Sequence, residues 1–93
     1  MIKMHYQLDI KKSFAKDEKK LNLSKSHHAK LYIYIGQLLN KQPLPKAARD
    51  HQLSGEYRHC REFHLGGDLL VIYQIKHNTL YLARIDSHAQ LFK

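Results

Sequence analysis

Tryptophan is absent, cysteine occurs once, and only eight of the 93 residues are acidic. The lone Cys60 rules out an intrachain disulfide and any paired-cysteine metal motif, so a reducing cytoplasm is the expected setting. A single cysteine inside an expected strand reads as core filler rather than as a nucleophile. No apolar run approaches the ~18 residues needed to span a bilayer. The opening Met1-Ile-Lys-Met-His-Tyr-Gln7 lacks the apolar stretch of a secretory leader. Repeats and low-complexity tracts are missing too. The shortage of acids leaves 16 Lys and Arg against eight Asp and Glu, a formal charge of +8. Such an excess suits a polyanionic partner: nucleic acid, an acidic protein segment or an anionic membrane.

What is present fits one domain over residues 1–93, with a 43% apolar content that argues against disorder. His5 to Ile10 alternates, with Tyr6, Leu8 and Ile10 on one face, and reads as an opening strand. A helix follows from about Ser13, a plausible N-cap, to Leu21, with Phe14 and Leu21 inward and Lys16, Lys19 and Lys20 outward. Those lysines suit either a solvated face or an RNA backbone. Ser24 or Ser26 can cap a second helix to about Lys41, where Leu31, Ile35, Leu38 and Leu39 form a core-facing stripe. Gly36 within it suggests close packing against a sheet, and Pro43 and Pro45 end it. Residues 46–55 read as a long connecting loop. Three strands are then expected, about Tyr57 to Leu65, Leu69 to Lys76 and Thr79 to Asp86, turned by Gly66-Gly67 and His77-Asn78. The second, nearly all apolar, should be central and covered on both faces. Ser87 to Phe92 reads as a short turn or single helical turn. The class is α+β: an N-terminal strand and a two-helix hairpin on a largely antiparallel sheet.

Strand periodicity puts Arg58, Cys60, Glu62 and His64 on one side of the first meander strand. It puts Leu80, Leu82, Arg84 and Asp86 on one side of the last. His64, Asp68, Arg84 and His88 could then gather at one end of the sheet, with His51 folding over from the loop. Such a group suits RNA cleavage. The 2′-hydroxyl is a latent nucleophile that needs a base, while the leaving 5′ oxygen needs an acid and the phosphorane needs positive charge. Free imidazole titrates near neutral pH and can fill either proton-transfer role. Asp68 can orient an imidazolium or act as base; Arg61 or Arg84 can hold phosphate. His5, His27, His28, His59 and His77 are read as surface or structural residues. A metal site at His51, His64 and His88 is set aside, because their wide spacings match no short ligand motif. Neither metal nor cofactor is expected.

Four blocks in order, Asp50 to Gly55, Tyr57 to His64, Asp68 to Tyr73 and Ser87 to Phe92, resemble the YafQ-type toxins of the RelE/ParE toxin–antitoxin superfamily. The resemblance implies a RelE-like fold and a cytoplasmic, ribosome-dependent endoribonuclease that cuts mRNA in the decoding site. It also implies a cognate antitoxin as partner. It carries the family's loop histidine to His51, its strand-end histidine to His64, its acidic residue to Asp68, its tail histidine to His88 and its terminal aromatic to Phe92. Arg61 and Arg84 match its arginines. Some members have a tryptophan directly after the acidic residue, where this chain has Leu69. On this reading Asp68 and His88 supply base and acid, His51 and His64 orient the substrate or stabilise charge, and Phe92 stacks on a base. The rival from another class is a non-catalytic toxin of the ParE branch that inhibits DNA gyrase by protein contact.

Overall fold

Leu70, Val71, Ile72 and Tyr73 are all essentially inaccessible to solvent, which requires cover on both faces of their strand. The computed structural model, which describes residues 5–92, supplies that cover with one sheet and three helices. The strands are β1 (Gln7–Ile10), β2 (His51–Gln52), β3 (Arg61–Gly66), β4 (Leu69–Lys76) and β5 (Thr79–Ser87), in the order β1-β5-β4-β3-β2. β1 joins β5 in parallel and every other pairing is antiparallel. Burying each large apolar side chain of β4 contributes about 1.5–3 kcal/mol, so the central strand anchors the fold.

One face packs against α1 (Lys12–Leu21) and α2 (Lys25–Leu39). There Phe14, Leu31, Tyr34, Ile35 and Leu38 meet Phe63, Leu65, Val71, Tyr73, Leu80, Leu82 and Ile85. Tyr34 stands edge-on to Phe63 at 5.6 Å. The other face holds a smaller core of Leu70, Ile72 and Leu91 under Leu53, Tyr57, Cys60 and Ala83, closed by α3 (His88–Leu91).

Ser24 caps α2 by accepting the His27 N–H. Ser13, expected to cap α1, does not: α1 starts after Lys11 without a side-chain cap, and the Ser13 hydroxyl donates across to the Ala83 carbonyl at 2.6 Å. A tertiary acceptor on β5 outcompetes the local one. Leu8 and Ile10 are exposed, because α1 turns away onto β5 and leaves the outer side of β1 bare. A Cβ placed on Gly36 would meet nothing within 4 Å, so the expected close packing there is absent. Gly36→Ala should therefore raise stability by about 0.5–1 kcal/mol, seen as a higher urea midpoint at unchanged slope.

The segment expected as a bare loop is ordered. A 3-10 turn, Lys46–Ala48, buries Ala48 completely, and β2 then adds to β3. β3 begins at Arg61 rather than Tyr57, since Gly55–Tyr57 form a second 3-10 turn and Leu53 N–H reaches the Cys60 carbonyl. Arg58 and Cys60 thus drop out of the expected alternation. Asp68 lies in the hairpin turn, and β4 starts at Leu69 as expected. Positive φ at both His77 and Asn78 gives the second hairpin the backbone twist that matches its strands. A register shift in β5 sets Ile72 opposite Arg84 but Tyr73 opposite Leu82, so Ala83 is the extra residue. That bulge corrects the expected face: Leu80, Leu82 and Ile85 meet the helices, and Arg84 and Asp86 go to the other side.

Candidate active site

On the sheet face away from α1 and α2, strand pairing sets two rows of residues. His51, Glu62, Ile72 and Arg84 form one; His64, Leu70 and Asp86 form the next. Glu62 is the centre of the first. Its side chain is only 6% exposed, and Oε2 lies 3.1 Å from His64 Nε2 and 3.3 Å from His51 Nε2. A carboxylate buried this far is expensive unless charge or hydrogen bonds meet it, and two imidazoles do so.

Their partners fix how the rings are protonated. His51 Nδ1 is 2.6 Å from the Arg49 carbonyl, an oxygen that can only accept, so Nδ1 carries a proton and Nε2 is the atom that faces Glu62. His64 Nδ1 is 3.4 Å from Arg49 Nη2. A guanidinium can only donate, so Nδ1 is the acceptor and the Nε2–H points at Glu62. Arg49 therefore holds both rings, one with its side chain and one with its backbone. It can do so because it sits in the left-handed region, at φ 47°, where the 3-10 turn ends. The rings lie roughly parallel, 6.3 Å apart.

Asp68 and His88 form the second group. The His88 N–H donates to the Asp68 carbonyl at 3.0 Å, tying α3 to the β3–β4 turn. Ser87 caps α3 by accepting from the Gln90 N–H, which leaves the His88 ring exposed on the first turn. It lies 5.0 Å from the Phe92 ring, and Phe92 in turn meets Tyr57 edge-on at 5.9 Å. Phe92 is 37% exposed, enough to offer a ring surface to a ligand.

The sequence-derived residues thus fall into two pairs, His51 with His64 and Asp68 with His88–Phe92. Among the described residues no hydrogen bond, ion pair or ring contact joins one pair to the other. His64 stands two strands from Asp86 in its row, about 10 Å, and His88 follows Asp86 by two residues. The gap between the pairs is of the size a nucleotide could bridge.

Both arginines expected at phosphate have other partners. Arg61 projects to the opposite face, where Nε bonds Asp50 Oδ1 at 3.1 Å and the Tyr73 hydroxyl donates to the same oxygen at 2.6 Å. Burial works against the Arg61 charge, but hydrogen bonds to Tyr73 and Asp50 outweigh it and hold the guanidinium above its ordinary range. Burial, reinforced by the Asp50 carboxylate, pushes the Tyr73 phenol up. This network anchors the segment that carries His51. Arg84 binds both oxygens of Asp17, at 2.7 and 3.1 Å, and that hydrogen bonding raises its pKa further. Cys60 is half-buried and burial pushes its thiol up, which suits filler.

Sequence reasoning missed two members, Glu62 and Arg49. The signal for Glu62 was there, an acid two residues before His64 and on the same strand face. Nothing local marked Arg49, which enters only through the folding of the turn. Away from the histidines, a groove of about 570 Å³ is lined by Ser13, Lys16, Asp17, Lys19, Lys20 and Arg84. No helix among the described residues is long and apolar enough to cross a membrane.

A family described as "Bacterial toxin of type II toxin-antitoxin system, YafQ" matches residues 6–93. A Haemophilus influenzae relative carrying the YafQ toxin name is 40% identical over 66 residues, which is 67% of this chain and 65% of that one. The mRNA interferase toxin YafQ of Escherichia coli is 33% identical over 89 residues, 92% of this chain and 97% of its own. Among solved structures, a metal-bound toxin from Helicobacter pylori is 42% identical with a TM-score of 0.84, covering 94% of this chain and 99% of that one. The toxin of the Escherichia coli DinJ-YafQ toxin-antitoxin complex is 27% identical with a TM-score of 0.80, covering 96% and 99%.

Proposed function

The chain belongs to the YafQ family of type II toxin–antitoxin toxins, and on that premise we propose that it is an endoribonuclease cutting mRNA at the ribosome by the acid–base chemistry of its own side chains. The observation that carries this reading is Glu62 buried between His51 and His64, one hairpin away from the exposed Asp68–His88 pair. A 2′-hydroxyl, once deprotonated, attacks the adjacent phosphorus, and the 5′ oxygen leaves with a proton from an acid on the far side. Two separated sets of groups let one transfer protons while the other meets the charge on the phosphate. Asp68 and His88 act as base and acid. His51 and His64, oriented by Glu62 and Arg49, hold the scissile phosphate and meet the charge that grows on the phosphorane. In this role Arg49 takes the place first assigned to Arg61. Phe92, packed beside His88, stacks on a base of the message.

The +8 charge and the lysine-lined groove on α1 suit a phosphate backbone. They equally suit an acidic antitoxin segment, the partner by analogy with the DinJ-YafQ complex. Ribosomes and antitoxin together would place the protein in the cytoplasm. Primer extension on cellular mRNA after induction tests the proposal: cuts that recur in phase with codons are expected. Intact message accompanied by DNA damage would replace it with the gyrase-directed alternative.

A further inference from the structure

The distance between the His51–His64 pair and the His88–Phe92 pair has to be held from outside both, and Tyr57 is attached to each side. It ends the 3-10 turn Gly55–Tyr57, and that turn is tied to β2, the strand of His51. Leu53 N–H donates to the Cys60 carbonyl at 3.0 Å, and Cys60 N–H donates to the Tyr57 carbonyl at 2.8 Å. The Gln52 side-chain amide donates to the Arg58 carbonyl at 3.1 Å. The backbone of Tyr57 is thereby coupled to the His51 segment. Its ring packs on the small core of Leu70, Ile72 and Leu91 and stands edge-on to Phe92, 5.9 Å between centroids at 79°. Phe92 lies 5.0 Å from the His88 ring. Asp17 does most to hold the charge of Arg84, and the Tyr57 phenol adds to it, so the hydroxyl end of the ring is met by β5 as well.

Phe92 needs such a neighbour. It follows α3, a helix of four residues, too short to hold its shape by its own hydrogen bonds. Phe92 N–H bonds the His88 carbonyl at 3.0 Å and Leu91 is buried, but neither contact orients the exposed Phe92 ring. An edge-to-face partner does, because aromatic pairs prefer that arrangement.

We propose that Tyr57 is a positioning residue: it braces Phe92, and through it His88, against the segment that carries His51, and so sets the width of the gap in which the scissile nucleotide lies. The catalytic consequence rests on the nuclease reading; the brace itself does not. Tyr57 is assigned no proton transfer. Acid and base on one segment and phosphate-holding groups on another act on a single linkage only when both are in reach at once. A displacement of about 1 Å is enough to cost about 10²-fold in rate. Expected as the first residue of a strand, Tyr57 instead sits in the turn before it, and from there its ring reaches the end of α3.

Tyr57→Leu keeps apolar bulk on the small core and removes the ring. On programmed ribosomes it should lower kcat by about 10- to 10²-fold with KM little changed, because docking is left to the basic surface. Tyr57→Phe, which restores the ring without the hydroxyl, should recover most of that loss. In the free parent protein, proton NMR should show an Overhauser contact between the Tyr57 and Phe92 rings. In Tyr57→Leu the ring signals of Phe92 and His88 should move while those of His77, in the β4–β5 turn, stay. Thermal melts of both variants identify any loss that merely follows unfolding. A missing Tyr57–Phe92 contact, or a Tyr57→Leu variant that cuts at the parent's rate, overturns the brace. So does a loss of activity that matches the unfolded fraction or appears in KM alone. A parent chain that cuts no RNA sinks the nuclease reading and the catalytic consequence with it; the ring contact and the signal shifts then still decide the brace.

Discussion

His88→Ala should abolish growth arrest, lowering the mRNA cleavage rate by about 10²- to 10⁴-fold, the usual cost of losing one positioned acid or base. The fold should not notice. The ring is exposed and packs against Phe92. The link that ties α3 to the hairpin runs from the backbone N–H to the Asp68 carbonyl, which alanine keeps. Stability should therefore stay within about 0.5 kcal/mol of the parent. Single-turnover cleavage on programmed ribosomes, paired with a thermal melt, separates the two readouts. Full toxicity in this variant would remove His88 from the proposed machinery, and a collapsed melting temperature would make its role structural.

Asp17→Ala should lower stability by about 2–4 kcal/mol. β1 covers the edge of β5 only from Thr79 to Leu82. Beyond that point Lys11 and α1 continue the ladder with one backbone bond and two side-chain bonds. Lys11 N–H bonds the Leu82 carbonyl, Ser13 Oγ donates to the Ala83 carbonyl, and Asp17 Oδ2 accepts from Ile85 N–H. The same carboxylate holds Arg84 through two hydrogen bonds. Its removal strands a buried backbone donor and frees a guanidinium. Arg84 is 35% exposed, so solvent tempers the ionic share and the estimate leans on the orphaned N–H. For a domain of this size the melting temperature should drop by roughly 10–20 °C. Asp17→Asn, which keeps an acceptor but not the charge, should fall between. A change of only a degree or two would mean that α1 does not seal this edge. The prediction also recasts Arg84: a loss of activity in an Arg84 variant has to be read against its loss of stability.

The same logic shows where sequence reading succeeded. The Leu31–Ile35–Leu38 stripe of α2, the central placement of β4 and the His77-Asn78 hairpin each follow from a local rule. Apolar spacing fixes the buried face, an all-apolar run demands two-sided cover, and paired positive φ suits the turn. Misreadings occurred where a long-range partner overrode the local signal. Ser13 looks like a cap until Ala83 offers its carbonyl. Arg84 looks in phase with Leu82 until the bulge at Ala83 moves it to the other face. Residues 46–55 look like loop until buried Ala48 and the pairing with β3 order them.

From the order of its residues alone, this protein was bound to be a basic α+β chain with a buried central strand, and its motif blocks pointed to the family. Composition and periodicity suffice for that, since they act residue by residue. Which charged groups meet was decided only by the tertiary structure. The left-handed turn at Arg49, the pairing of β2 with β3 and the bulge in β5 put Glu62 between two histidines and took Arg61 and Arg84 for other acids. Each of those contacts depends on chain segments far apart in sequence, whose register no local preference encodes.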